Sequence, residues 1–151
     1  VPLATGERLF TKYGFAPLCA RHLVDFVQPD VVHCGGILEL KKIATIAEAY
    51  RIQTAPHNPQ SSVSTLASLH VDVTTPNFAI QEISRTPSQF FQDLFRGDGP
   101  VFQDGYALIP QKPGIGVTLT SEIESQFPFD PTAVYNCQGI DYGSPPDEAW
   151  Q

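Results

Sequence analysis

The sequence contains no methionine, one tryptophan and three cysteines. It is also poor in cations, with 9 Lys and Arg against 16 Asp and Glu and a formal net charge of −7. That balance argues against nucleic acid or an anionic membrane surface as a partner, because both attract basic patches. No apolar run is long enough to cross a membrane, and no secretory signal is present. The cysteines, Cys19, Cys34 and Cys137, are odd in number and match no zinc spacing. They read as free thiols in a reducing, cytoplasmic compartment. The first residues are apolar and carry no initiator Met, so the chain reads as one that starts inside a structure.

What is present is a chain of 151 residues, 42% hydrophobic, enough for a folded core. Residues 1–84 alternate short apolar stretches with amphipathic ones at a period of about 25 residues. "VPLAT", "VDFVQPD", "RIQTAP" and "NFAIQEI" read as strands. Phe15 to Leu23, "LELKKIATIAEAY" and "SSVSTLASLHVDVTT" read as helices, the last capped by Ser61 or Ser62. The second helix has Leu40, Ile43, Ile46, Ala47 and Tyr50 on one stripe. Strand–helix alternation with strands apolar on both faces predicts an α/β fold with a parallel sheet.

Residues 85–151 have a different texture. "PSQFFQDLF" and "TSEIESQF" read as short helices, and "PVFQDGYALIP" and "GIGVTLT" are strand-like. The end of the chain is rich in Pro, Gly, Asp and Tyr, with Trp150 as a packing anchor.

Each strand in the first half ends on a chemically capable residue: Glu7, Asp30, His57 and Glu82. In parallel α/β folds, ligands bind at the carboxyl ends of the strands. Asp30 and His57 lie one strand–helix unit apart, so they should be neighbours. A carboxylate beside an imidazole fixes its tautomer and raises its basicity, as a general base requires. Each residue also has a plainer reading. Glu7 suits a helix N-terminus, Asp30 a turn cap, His57 a turn between two prolines, and Glu82 a solvated strand end. The recurrence of one position four times favours a shared site. His33, three residues past Asp30, either reaches a ligand or caps its loop. His22 and His70 fall late in helices, where a dipole or packing role is ordinary. Gly35-Gly36 suits a tight turn more than phosphate binding.

The stretches "LATGERL", "VQPDVVHCGGILELKKIATIAEAYRIQTAPHNP", "PNFAIQE" and "DGYALIPQKPGIGVTL" resemble the second half of acid-sugar dehydratases of the enolase superfamily, mandelate racemase subgroup, galactonate type. The resemblance covers nearly the whole chain. It implies strands five to eight of a modified (β/α) barrel, an incomplete TIM barrel, in residues 1–84. Residues 85–151 would be a C-terminal extension toward a capping domain that this chain lacks. It implies Glu7 as one of three carboxylate ligands of Mg²⁺. His57 and Asp30 would be the catalytic pair, and Glu82 and His33 would line the substrate pocket. The implied reaction is loss of water from an aldonate such as galactonate, giving a 2-keto-3-deoxy acid. The partner would be a small sugar acid, and the complete enzyme a homo-oligomer. Two departures stand out. The family usually has "HCP" where this chain has "HNP", so Asn58 is expected to change pocket shape. A complete barrel takes about 250 residues, so the other metal ligands and the acid for the leaving hydroxyl are missing, and the chain is expected to be inactive alone. Two alternatives remain: a non-catalytic truncated remnant, or another enzyme of the superfamily, a racemase or a mannonate-type dehydratase.

Overall fold

A computed structural model describes residues 1–59, 61–83 and 99–118, with positions 120, 121, 125 and 128. The segments "PSQFFQDLF", most of "TSEIESQF", Cys137 and Trp150 lie outside the described residues. The chain divides into two compact units, Val1–Thr120 and Ser121–Gln151.

Within the first unit the order is β1 (Ala4–Thr5), α1 (Thr11–Ala20), β2 (Phe26–Val27), α2 (Ile37–Ala49), β3 (Gln53–Thr54) and α3 (Ser62–Asp72). The strands pair in parallel in the order β1-β2-β3. The fourth expected strand is a single parallel bridge, Thr54 to Phe78. Beyond that bridge the segment is held by Glu82 N–H donating to the Pro56 carbonyl (3.2 Å) and by the Asn77 side chain. Its amide nitrogen lies within hydrogen-bonding reach of the Ile52 carbonyl (2.8 Å) and Thr54 Oγ1 (3.1 Å), tying the segment to β3 from the side.

The helices follow from patterning and capping. On α2, Leu40, Ile43, Ala44 and Ala47 are buried, while Tyr50 at its end is exposed. On α3, Ser61 is the N-cap, and Ser61 and Ser64 form a reciprocal capping box. Helix α1 starts four residues earlier than the local pattern predicts. Its first N–H groups are satisfied from a distance: Thr11 N–H donates to the Cys34 carbonyl (3.0 Å) and Lys12 N–H to Glu39 Oε1 of α2 (2.8 Å). That backbone bond, followed by the Lys12 ammonium, holds the Glu39 carboxyl below its ordinary range. The core between helices and sheet contains Phe15, Cys19, Val27, Val31, Cys34, Leu40, Ile43 and Ile52.

Gly6 ends β1 with φ +135. A Cβ there would fall 2.6 Å from Phe15 Cε1 and 3.1 Å from the Gln28 backbone nitrogen. Only glycine lets the chain pass between the core phenylalanine and β2 and deliver Glu7 to the strand ends.

After residue 98, β4 (Phe102–Gln103) and β5 (Tyr106–Ala107) form an antiparallel hairpin. Asp104 and Gly105 both have positive φ, as the tightest two-residue hairpin turn requires. "GIGVTLT", expected as strand-like, forms turns and bends over its described residues, with Gly114 and Gly116 at positive φ.

Candidate functional site

The carboxyl ends of β1, β2 and β3 bring Glu7, Asp30 and His57 together. A parallel bridge joins Asp30 to His57, and His57 N–H donates to the Pro29 carbonyl (3.2 Å). The two side chains then meet directly: His57 Nδ1 lies 2.9 Å from Asp30 Oδ2. Asp30 is 1% exposed. Such burial is tolerable for a carboxylate because Oδ1 accepts from the backbone N–H groups of Val32 (2.8 Å) and His33 (3.3 Å). An ionised carboxylate only accepts, so Nδ1 is the donor in this contact. The other ring nitrogen, Nε2, faces Glu7, with Oε2 3.6 Å away.

The surroundings hold the pair still. Pro56 is fully buried, and its carbonyl accepts from Glu82 N–H (3.2 Å) and Gln81 Nε2 (3.0 Å). Asn58 is 4% exposed and turned into the fold. Its Nδ2 donates to Thr65 Oγ1 (2.7 Å) and its Oδ1 accepts from Ser64 Oγ (2.7 Å). Asn58, expected to change pocket shape, is bonded through both ends of its amide to the first turn of α3. Gln81 and Asn58 were not singled out as site supports by the sequence. The unusual "HNP" was the one visible signal.

The remaining expected residues are less engaged. His33 Nδ1 lies 3.3 Å from the Glu7 carbonyl, and its ring is 6.5 Å from that of Phe10. Glu82 sits beside the His57 turn through its backbone, with its side chain exposed. Cys34 follows Asp30 into the core. Burial, reinforced by the Asp30 charge, pushes its thiol up to about 12, so it is inert as a nucleophile. Cys19 is likewise free, buried and shifted upward by burial.

Glu7, about half exposed, is the carboxylate available at the rim. Among the described residues no group of three or more His, Cys, Asp or Glu comes together to hold a metal ion. Both Asp30 oxygens are already occupied. A hard divalent cation needs several oxygen ligands, so the described residues do not by themselves fit Mg²⁺. A cleft of about 550 Å³ lies elsewhere, between the end of α3 and the hairpin, lined by Leu69, Asp72, Phe78, Phe102 and Tyr106 among others. Asp72 Oδ2 is buried there without a partner among the described residues, and burial pushes its carboxyl up to about 7. Among the described residues no helix is long and apolar enough to cross a membrane.

The chain is similar to several known proteins. A D-galactonate dehydratase family member from Streptomyces bingchenggensis is 38% identical over 133 residues, 87% of this chain and 32% of that protein. The D-xylonate dehydratase of Haloferax volcanii is 37% identical over 118 residues, 78% of this chain and 28% of that protein. An enolase from Pantoea ananatis, solved with bound d-gluconate and Mg, superposes with a TM-score of 0.78 at 31% identity, covering 86% of this chain and 31% of that one. The chain spans about a third of the length of the curated relatives it matches. Its parallel strand–helix units are the later part of an enolase-type (β/α) barrel, and galactonate-type dehydratases of the mandelate racemase group are its kin. The family model described as Enolase C-terminal domain-like matches residues 1–123, and to that family this chain belongs.

Proposed function

We propose that this chain is the proton-transfer part of a sugar-acid dehydratase, a hydro-lyase acting on an aldonate of the galactonate, gluconate or xylonate kind. The observation that carries the reading is the Asp30–His57 pair, which holds the ring by Nδ1 and leaves Nε2 as its other nitrogen at the strand ends. The names of the relatives support the substrate class. His57 Nε2 takes the proton from the carbon next to the substrate carboxylate. Asp30 steadies the imidazolium that forms. The electron pair left on carbon forms the double bond and expels the neighbouring hydroxyl, which leaves as water with a proton from an acid outside this chain. The enol then becomes a 2-keto-3-deoxy acid.

In a complete enzyme, Glu7 is one ligand of Mg²⁺, with the other carboxylates supplied from outside these residues. Glu82 and His33 contact the sugar acid. Residues 1–84 are the barrel half and 85–151 its C-terminal extension. The complete enzyme is a cytoplasmic homo-oligomer, and the 151-residue chain alone is inactive.

The test replaces the matching segment of the Streptomyces relative with residues 1–123 and offers the chimera D-galactonate, D-gluconate and D-xylonate. Formation of a 2-keto-3-deoxy acid, lost on His57→Asn, is the expected result. A folded chimera that turns over none of these acids, or turns them over without His57, contradicts the reading.

A further inference from the structure

We propose that Asn58 is a positioning residue, whose amide locks the His57 turn to the first turn of α3 and so keeps the imidazole on Asp30. The proposal rests on the proton-transfer role given to His57. Asn58 is buried and cannot touch a substrate at the rim. Both ends of its amide are used on one short stretch of helix, Nδ2 toward Thr65 Oγ1 and Oδ1 from Ser64 Oγ. The network closes on the N-cap: Thr65 Oγ1 donates to the Ser61 carbonyl (3.2 Å), and Ser61 N–H donates to Ser64 Oγ (3.0 Å). Ser64 and Thr65 are themselves buried.

A single planar group must donate in one direction and accept in another. Asn does this. A Cys thiol is a weak donor and acceptor, and Asp lacks the donor. The need for such a lock follows from the geometry of the pair. His57 is held at its own N–H by the Pro29 carbonyl. Pro56 and Pro59 fix φ on either side. The φ and ψ of His57 and of Asn58 remain, and bonding the Asn58 side chain to α3 restrains the segment that carries the imidazole on its 2.9 Å contact with Asp30. A displacement of about 1 Å in a catalytic group costs up to ~100-fold in rate.

A plainer role is that Asn58 only helps cap α3. The two roles separate by the state of the His57 ring. In the 151-residue chain labelled with ¹⁵N, wild-type His57 should show a slowly exchanging proton on Nδ1. Asn58→Ala and Thr65→Val should speed exchange of that proton with water about tenfold, the scale of one lost hydrogen bond. Thr65→Ser, which keeps the hydroxyl, should restore the wild-type rate. If Asn58→Ala does not fold, the Thr65→Val and Thr65→Ser pair decides alone. A His57 proton exchanging at the wild-type rate in Thr65→Val, while circular dichroism reports a weakened helix, overturns the proposal. So does a wild-type ring whose Nδ1 proton exchanges as fast as that of a free imidazole. The readout needs no turnover, so a failure here is distinct from failure of the dehydratase reading, which the chimera tests without touching Asn58.

Discussion

His57 Nδ1 and Asp30 Oδ2 lie 2.9 Å apart although 27 residues separate them in sequence. One strand–helix–strand unit closes that gap, and the parallel pairing of β2 with β3 sets its register. The carboxylate is buried and doubly bonded by backbone N–H groups, while the imidazole is 15% exposed. The carboxylate is thus inside, and the imidazole is the more exposed partner.

That asymmetry predicts unequal effects. In the chimera, Asp30→Asn should lower turnover but leave more activity than His57→Asn, because the imidazole stays in place with a less certain tautomer. Equal losses in kcat, or a greater loss from Asp30→Asn in a folded protein, would count against an orienting role.

Gly6→Ala should destabilise the chain by on the order of 2 kcal/mol, since it combines an unfavourable φ with a Cβ pressed against Phe15 and β2. Thermal melts check this. A variant as stable as wild type would mean that β1 does not pass Phe15 as described.

The buried Asp72 predicts a pH dependence. Its folded carboxyl is pushed up to about 7 by burial, against about 4 when unfolded. Between those values the folded state holds a proton that the unfolded state has released. Stability therefore falls as pH rises from about 4 to about 7 and stays low above that. Asp72→Asn should match wild type near pH 4 and exceed it at pH 8 by on the order of 2–4 kcal/mol. Denaturant titrations at the two pH values report it. A variant advantage that is the same at both would show that Asp72 is not charged against its burial.

Much of this was legible in the chain. Residues before proline are driven to extended backbone, so Pro29 and Pro56 marked where β2 and β3 hand over to Asp30 and His57. The Leu40–Ile43–Ala47 spacing marked α2, and Ser61 marked the start of α3. The rest depended on contacts between distant segments. Nothing local announces that Glu39 caps α1, so the start of that helix was placed late. Nothing in "PNFAIQE" announces that the segment would join β3 by a single bridge, with the Asn77 amide bonded beside it. The inward turn of Asn58 required knowing where Ser64 and Thr65 stand.

Magnesium should not raise the melting temperature of the 151-residue chain, because the described residues bring no group of three or more ligands together around Glu7. In the chimera, Glu7→Gln should weaken Mg²⁺ binding and abolish turnover. Tight calorimetric binding of Mg²⁺ to the short chain would mean that the ligands are assigned wrongly.

The central claim is that His57 takes the proton next to the substrate carboxylate. The direct measurement is deuterium incorporation at that carbon, followed by ¹H NMR in D₂O with the chimera and its His57→Asn variant. The account predicts a loss of roughly 10²–10⁴-fold in the exchange rate of the variant, with Mg²⁺ affinity unchanged. Exchange at the undiminished rate in the variant would make His57 a turn residue and place the base elsewhere.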